Sequence, residues 1–387
     1  MKEQAPQKKK QNIFMRLLAL LVTAALIFGA LFLVVNWDRY NLDAIKRRLE
    51  LRSVKTSATG EAEPFTHGGG HSADFAYLSD GVVMTSSTGV RYYTFSGEGY
   101  ADQVRPMEHP VLEENGGYAV AYDAGGTDFW LYHGGEEIFT HTLEGDGDLL
   151  SVRVNQDGWL AVTAQESGYK GTVTVYDPAH ERVFRLNRSS TFVVDAMVSP
   201  DHKRVAVVTL GLTGGRFESR LLIYRLDSEE PEQEILLGNS APLDLDYEDR
   251  QIWVLAENEI YSVSTQNWEV STAPFGRGYL KGCALGGDGF ALVLLGRYRA
   301  GSADQALVVS PDGEIQAGLE LHGQILDFDA AGKYVCLLGG GAMNLYTSDL
   351  EPYRELGETQ GARYTALAEN GSALLANRQQ AWMYIPG

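Results

Sequence analysis

Short runs of apolar and β-branched residues, separated by tight turns, follow one another from about residue 73 to the last residue. In the stretch AMVSPDHKRVAVVTL, residues 196–210, the turn SPDH separates two such runs. Asp or Asn next to Gly supplies the positive φ angles that tight hairpin turns need. The pattern therefore predicts antiparallel β-hairpins over most of the chain.

The turns recur at a regular interval. Turns of similar composition end at Gly81, Gly116, Gly158, His202, Arg250, Gly289, Gly332 and Gly371. A third apolar run, often ending in tyrosine, follows each pair, as in VTVYDP, and a second turn and a fourth run such as ERVFRLN complete the unit. Four short strands in about 41 residues are typical of a β-propeller blade.

The unit count predicts eight blades, with seven as the alternative if one weak unit is an insertion. The last unit has room for only three strands, at about 362–367, 372–376 and 380–385. An open fourth position would leave an unpaired sheet edge. A strand from residues 53–69 can fill it, so we expect an all-β propeller over residues 59–387 that is closed by an N-terminal strand.

Residues 17–35, LLALLVTAALIFGALFLVV, contain no charged residue. At about 1.5 Å per residue a helix of this length spans about 28 Å, enough for the hydrocarbon core of a bilayer. The run is longer than a typical signal peptide's apolar region and lacks a small-residue cleavage site. We therefore predict a short basic tail over residues 1–12, an uncleaved transmembrane helix over 13–37, and a juxtamembrane stalk or amphipathic helix over 38–58.

Lys and Arg lie on both sides of this span and do not decide its orientation. A short basic tail before a first span usually stays inside, and large downstream domains translocate largely regardless of charge. We expect a single-pass protein of the cell membrane with a cytoplasmic N-terminus and an extracytoplasmic propeller.

Charge narrows the range of partners. The net charge is −19, but residues 1–55 carry 11 Lys and Arg against 4 Asp and Glu, so the remainder carries −26. A body this acidic repels phosphate backbones, which argues against nucleic acid as a partner. The two cysteines, Cys283 and Cys336, lie in apolar runs, and we interpret them as small buried side chains that the sequence leaves either free or bonded.

The turn sequences SPDHKRVAVV and SPDGEI resemble those of the WD40-like and quinoprotein-like propeller superfamily. The whole layout, a basic tail, one span and an acidic propeller, resembles an uncharacterised family of membrane-anchored β-propellers of Gram-positive bacteria. The resemblance implies architecture and location, and it implies no reaction.

Catalytic motifs are sparse. The sequence contains no nucleophile elbow, no HExxH and no P-loop. We interpret His67 and His71 of HGGGH as a lead-in to the first blade, because zinc needs three or four ligands. Glu144, Asp146 and Asp148 lack the later glutamate of a calcium loop and are interpreted as a turn. We expect no catalytic residue, no cofactor and no metal site.

Three connections between second and third strands are longer than the others: QESGYKG at 165–171, GLTGGRFESR at 211–220 and GRYRAGSAD at 296–304. In a propeller these connections emerge on one face, and each carries an aromatic residue beside a basic one. Arg and Tyr are enriched at binding hot spots. The alternative is that the connections are ordinary solvated loops. The candidate contact residues are Tyr169, Lys170, Arg216, Phe217, Arg220, Arg297, Tyr298 and Arg299.

The sequence thus favours a non-catalytic binding or scaffolding module for a protein partner or an envelope glycan, held at the lipid bilayer by residues 17–35. The alternative is a propeller hydrolase or lyase acting on cell-envelope sugars. That activity requires carboxylates or histidines that converge at one mouth of the channel.

Overall fold

The computed structural model describes residues 18, 20–23, 27–28, 42–70 and 73–387. The described residues 18, 20–23 and 27–28 are helical. After them in the described chain, the helix α1 (Leu42–Glu50) precedes 32 β-strands in eight four-stranded antiparallel sheets. Each sheet is one blade, and the blades follow one another around a central channel. The prediction of an eight-bladed all-β propeller is confirmed, and the seven-bladed alternative is wrong.

The first four blades take their strands in sequence order, from the innermost to the outermost. Blade 1 contains β2 (Asp74–Tyr77), β3 (Val82–Ser86), β4 (Gly89–Tyr93) and β5 (Gly99–Val104). Blade 2 contains β6 (Pro110–Asn115), β7 (Tyr118–Asp123), β8 (Asp128–His133) and β9 (Glu136–Thr142). Blade 3 contains β10 (Asp148–Val154), β11 (Leu160–Gln165), β12 (Gly171–Tyr176) and β13 (Arg182–Arg188). Blade 4 contains β14 (Phe192–Val198), β15 (Arg204–Thr213), β16 (Arg216–Arg225) and β17 (Pro231–Gly238).

Blades 5 to 7 repeat this order, and blade 8 borrows its outer strand from the start of the chain. Blade 5 contains β18 (Pro242–Tyr247), β19 (Gln251–Ala256), β20 (Glu259–Ser264) and β21 (Val270–Pro274). Blade 6 contains β22 (Tyr279–Gly287), β23 (Phe290–Gly296), β24 (Gln305–Val309) and β25 (Ile315–Glu320). Blade 7 contains β26 (Ile325–Ala331), β27 (Tyr334–Gly339), β28 (Ala342–Thr347) and β29 (Pro352–Gly357). Blade 8 contains β30 (Tyr364–Leu367), β31 (Ala373–Ala376), β32 (Gln380–Tyr384) and β1 (Phe65–Thr66).

The ring closes where the sequence predicts. β1 pairs antiparallel with β32, with Phe65 opposite Ala381. Backbone bonds extend this pairing on both sides, from Ala62 N–H to the Met383 carbonyl (2.8 Å) and from His67 N–H to the Gln379 carbonyl (3.1 Å). The edge that three strands would leave open is therefore covered.

The apolar core lies between blades. Trp253 of blade 5 is fully buried against blade 6 residues such as Val293, and Trp382 of blade 8 packs with Cys336 of blade 7. Each sheet covers its neighbours in the ring, which explains why the middle strands are apolar on both faces. Cys283 and Cys336 are free thiols.

The predicted span over residues 13–37 lies largely outside the described residues. Among the residues that are described, no helix is both long and apolar enough to cross a bilayer. Residues 42–50, within the predicted stalk or amphipathic helix, form α1, which packs on the propeller. Arg47 Nη1 donates to the Asn370 carbonyl at 2.7 Å, and Asp43 forms an ion pair with Lys333 at 2.5 Å.

Candidate functional site

The strand order gives the propeller two chemically different faces. The turns that join first to second and third to fourth strands lie on one side, together with α1, and we call this side the α1 face. The second-to-third connections and the links between blades lie on the opposite side, which we call the hairpin face. All three long connections identified from the sequence emerge on the hairpin face.

The blade 4 connection is a continuation of the sheet. Strands β15 and β16 pair through Leu212 opposite Phe217 to Thr213 opposite Arg216. Gly214 and Gly215 form the turn with φ angles of 59° and 81°, as a two-residue type I′ hairpin requires. Beyond the body of the blade the cross-strand pair is solvent-exposed, with Leu212 at 67 % and Phe217 at 59 %. Arg216 at the tip is also exposed.

The blade 6 connection, residues 297–304, is an irregular loop whose base is held by polar contacts. The Arg297 amide donates to Asp304 at 3.0 Å, and Lys281 Nζ donates to the Arg299 carbonyl at 2.9 Å. Tyr298 is the most exposed of the candidate aromatic residues, at 75 %. The loop therefore presents Tyr298 between two exposed arginines, Arg297 and Arg299.

The blade 3 connection contributes less free surface. Lys170 Nζ donates to the Ser190 carbonyl at 3.1 Å and lies over the Phe192 ring at 5.1 Å, so it joins blade 3 to blade 4. Tyr169 is 40 % exposed. The blade 3 and blade 4 connections are thus neighbours, whereas the blade 6 loop lies two blades away from the blade 4 hairpin.

Arg220, the remaining candidate, is paired within its own blade. Its guanidinium lies 2.6 Å from Glu218 and 2.7 Å from Glu234. It lies four residues from Arg216, the last paired residue at the tip of the β15–β16 hairpin. Its charge is therefore balanced by neighbouring carboxylates, unlike that of a residue placed to meet an acidic partner.

The central channel is the second candidate site. Its cavity, about 1040 Å³, is lined by the eight innermost strands and, at the α1 face, by Lys46 and Glu50 of α1. Arg153 on β10 is its main internal cation. Its guanidinium contacts carboxylates of three other blades: Glu113 at 2.9 Å, Asp195 at 2.7 Å, and Asp244.

Other carboxylates in the channel bind the main chain of the next blade. Asp327 on β26 accepts from Thr365 N–H, and Asp329 accepts from Leu367 N–H, both at 2.7 Å. These donors lie on β30, the innermost strand of blade 8, whose inner edge has no neighbouring strand. The acidic side chains therefore satisfy backbone groups that face the channel.

Burial changes the acidity of these groups. Desolvation raises the pKa of Asp246 and of Asp327 to about 6 and that of Asp329 to about 7. Desolvation raises the pKa of Glu113 to about 7 although Arg153 opposes the shift. The Glu113 side chain is 28 % solvent-exposed, so the channel is open to water. At neutral pH the channel thus holds a mixture of protonated and ionised carboxyl groups.

His67 of the histidine pair and the acidic turn, both considered from the sequence as metal ligands, lie in structural positions. His67 is buried at the ring closure, and burial lowers its pKa. Its Nδ1 accepts a hydrogen bond from Gly69 N–H, and its Nε2 lies 2.8 Å from the Asn377 carbonyl oxygen. His71 lies outside the described residues. Asp148 begins β10 after the turn that contains Glu144 and Asp146. In the described part of the chain, no group of three or more His, Cys, Asp or Glu is placed to hold a metal ion.

The sequence allows Asp244 and Asp246 either to face outward from a strand or to lie near the channel, and the structure places both in the channel lining. The other channel carboxylates were not identified from the sequence. One signal was present: D-x-D occurs at 244–246 and at 327–329, in each case on an innermost strand. The first aspartate of each pair follows a register shift, between Pro242 and Asp244 and between Ile325 and Asp327. Such a bulge redirects side chains and cannot be located from alternation alone.

Comparison with known proteins agrees with this architecture. A search of curated proteins finds no match. Among solved structures, the chain resembles the computationally designed Ika8 protein (TM-score 0.59, 14 % identity, 83 % of this chain and 99 % of that one). It also resembles the Dos1 propeller, with a TM-score of 0.58 and 11 % identity over 84 % of this chain and 94 % of that one. A third similar structure is the Cps50 (Swd1) β-propeller domain of Myceliophteria thermophila, with a TM-score of 0.50 and 11 % identity over 73 % of this chain and 98 % of that one. These identities support the fold alone.

The chain also matches a protein family through most of the propeller. The match covers residues 65–350, from the closing strand β1 to the turn after the third strand of blade 7. This chain therefore belongs to the family of unknown function DUF5711.

Proposed function

We propose that this protein is a non-catalytic binding module that recognises a protein partner through its hairpin face. The observation that carries the proposal is the β15–β16 hairpin, which holds Leu212 and Phe217 in the solvent as a cross-strand pair. Exposed apolar side chains on a rigid element are typical of protein contact sites. The paired strands lose little conformational entropy on binding.

The charges beside the apolar residues favour an acidic patch on the partner. Arg216 lies next to Phe217 and Arg299 next to Tyr298, whereas the chain beyond residue 55 has 21 basic against 47 acidic residues. Arg297, on the other side of Tyr298, is exposed but lies 3.5 Å from Asp304. Arg forms bidentate hydrogen bonds with carboxylates. We favour a protein over a glycan because Leu212 and Phe217 together offer an apolar contact with few polar groups for sugar hydroxyls.

The proposed location is the cell membrane. The apolar segment 17–35 has the length and composition of a single span, and the basic residues before it favour a cytoplasmic N-terminus. The propeller would then act outside the membrane, in the cell envelope of a Gram-positive bacterium.

The raised pKa values in the channel are the observation that favours the alternative, a glycan-cleaving enzyme. A general acid does require a carboxyl group that stays protonated near neutral pH. However, Glu113 and Asp244 contact Arg153, and Asp327 and Asp329 accept backbone hydrogen bonds of the neighbouring blade. These contacts give the four carboxylates a role in joining the ring, so we do not assign these four a reaction.

The test is photo-crosslinking in intact cells with a crosslinking residue at position 217. We expect one main protein adduct, and we expect Leu212→Ser with Arg216→Ala to reduce its yield at least five-fold. Because these side chains are exposed, the unfolding free energy should stay within about 0.5 kcal/mol. Ile315→Ser is the matched control, since Ile315 is 57 % exposed and begins β25 on the α1 side. An undiminished adduct in the double variant would contradict the proposal.

A further inference from the structure

Helix α1 has an exposed apolar stripe. Leu42, Ile45 and Leu49 are 78 %, 48 % and 65 % exposed, and they lie at positions i, i+3 and i+7 of the helix. The opposite side of the helix is buried, with Ala44 and Arg47 each 3 % exposed. An apolar stripe on the outer side of a docked helix is the reverse of what solvent contact favours.

The contacts of α1 with blades 7 and 8 fix the direction of this stripe. Arg47 bonds the Asn370 carbonyl, and Asn370 Nδ2 donates to Glu50 at 2.6 Å. At the other end of the helix Asp43 accepts from the Tyr334 hydroxyl at 3.0 Å. The helix is therefore held at both ends, and Leu42, Ile45 and Leu49 face away from the propeller.

Basic residues surround the stripe. Lys46, Arg48, Arg52 and Lys55 are exposed, whereas the two acidic residues of the helix, Asp43 and Glu50, both contact the propeller. The segment thus forms a small positive surface on an acidic protein. Apolar residues flanked by Lys and Arg on one side of a helix are the pattern of helices that lie in the membrane interface.

We infer that α1 lies in the surface of a bilayer containing anionic lipids and holds the propeller with its α1 face toward the membrane. The position of the apolar segment supports this occupant, because Val35 precedes Leu42 by seven residues, a reach of about 25 Å at most. The hairpin face then points away from the bilayer, toward a partner. The inference rests on the proposed membrane location, and the experiment below separates the two.

The experiment places an environment-sensitive fluorophore at Ile45→Cys in the full-length protein, with Cys283→Ala as background because Cys336 is fully buried. The protein is reconstituted in vesicles of phosphatidylcholine with and without phosphatidylglycerol. We expect a blue shift and quenching by nitroxide-labelled lipid in vesicles with phosphatidylglycerol, and neither at the control position Tyr298→Cys. Retention of the protein after alkaline carbonate washing measures the anchor independently.

Separate substitutions test the contribution of the basic residues to membrane binding. Lys46→Gln and Arg52→Gln should each weaken the preference for phosphatidylglycerol vesicles by roughly five-fold, and Arg299→Gln on the hairpin face should not. If the fluorophore at position 45 stays in water while the protein remains in the membrane after carbonate washing, the inference is wrong and the membrane anchor is still supported. If lipid quenches the fluorophore but carbonate washing releases the protein, the inference is supported and the proposed transmembrane anchor is wrong. Protection of position 45 only after addition of another protein also overturns the inference.

Discussion

Asp246 has fewer partners than several other acidic side chains of the channel. Asp327 and Asp329 bind the backbone of the next blade, and Asp244 contacts Arg153. Desolvation raises the pKa of Asp246 to about 6, and only the adjacent Tyr247 amide and the charge of Arg153 oppose it. Its ionised form is therefore less stable in the folded protein than in the unfolded chain.

Asp246→Asn should stabilise the protein in a pH-dependent way. Because the folded pKa lies above the unfolded value of 3.8, the cost of ionisation is absent below about pH 4 and complete above about pH 6. We expect a gain of about 1 kcal/mol at pH 7.5, since water in the channel screens most of the shift, and no gain at pH 3.5. Denaturant unfolding of the wild-type protein and the variant at the two pH values measures this difference in unfolding free energy.

Asp201→Asn is the matched control with the opposite sign. Partial burial alone would raise the Asp201 pKa, but the Ser199 hydroxyl and the Lys203 amide lower it below its ordinary value. The ionised form is favoured in the folded state, so this substitution should destabilise at pH 7.5 and lose its effect as the pH falls through the folded pKa. An equal gain from Asp246→Asn at both pH values would show that charge is not the cause.

Helix α1 depends on the propeller for its stability. A nine-residue helix is too short to be stable alone in water. Its sequence places the polar Arg47, rather than an apolar residue, at the centre of the buried side, where the guanidinium bonds the Asn370 carbonyl at 2.7 Å. This arrangement leaves the leucines and the isoleucine outside.

Arg47→Met should detach α1 without unfolding the blades. Loss of a hydrogen bond from a charged donor costs about 1.5–3 kcal/mol, so the amides of residues 44–50 should exchange with solvent roughly 10- to 100-fold faster. Hydrogen exchange read by mass spectrometry measures this. Lys46→Gln, on the exposed side, should leave exchange unchanged. If the Arg47 variant shows wild-type protection, the Asn370 bond does not hold the helix.

The ring as a whole is joined by one short strand. β1 has two residues and pairs with a strand more than 300 residues later in the chain. Phe65 packs against Tyr93 of blade 1, with ring centroids 4.9 Å apart, and belongs to one apolar cluster with Met383 of blade 8. It therefore connects the first blade to the last.

Phe65→Ala should destabilise the propeller by about 3 kcal/mol, because it removes a buried aromatic side chain at the closure. Thr66→Ala, on the exposed side of the same strand, should change the unfolding free energy by less than about 0.5 kcal/mol. Urea unfolding followed by tryptophan fluorescence compares the two. Equal midpoints would mean that β1 does not hold the ring closed.

Turn chemistry and strand periodicity determined the architecture in advance. Tight turns need Gly, Asn or Asp at fixed positions, so the repeat of these residues predicts the blades, their number and the missing strand of blade 8. The exposed tips of the blade 4 and blade 6 connections were also predictable, because insertions between paired strands have to extend beyond the sheet. The extent of the β15–β16 ladder was not, since pairing continues through residues that also suit a loop.

The central channel and the place of α1 were decided by tertiary structure. Which aspartates face the channel depends on bulges such as that between Ile325 and Asp327, and which of them find partners depends on the neighbouring blade. The buried side of α1 is chosen by hydrogen-bond partners more than 290 residues away, the Tyr334 hydroxyl and the Asn370 carbonyl, and not by its own apolar pattern. Local sequence specifies hairpins, because their contacts are local. Sites built between blades depend on contacts that form only when the ring closes.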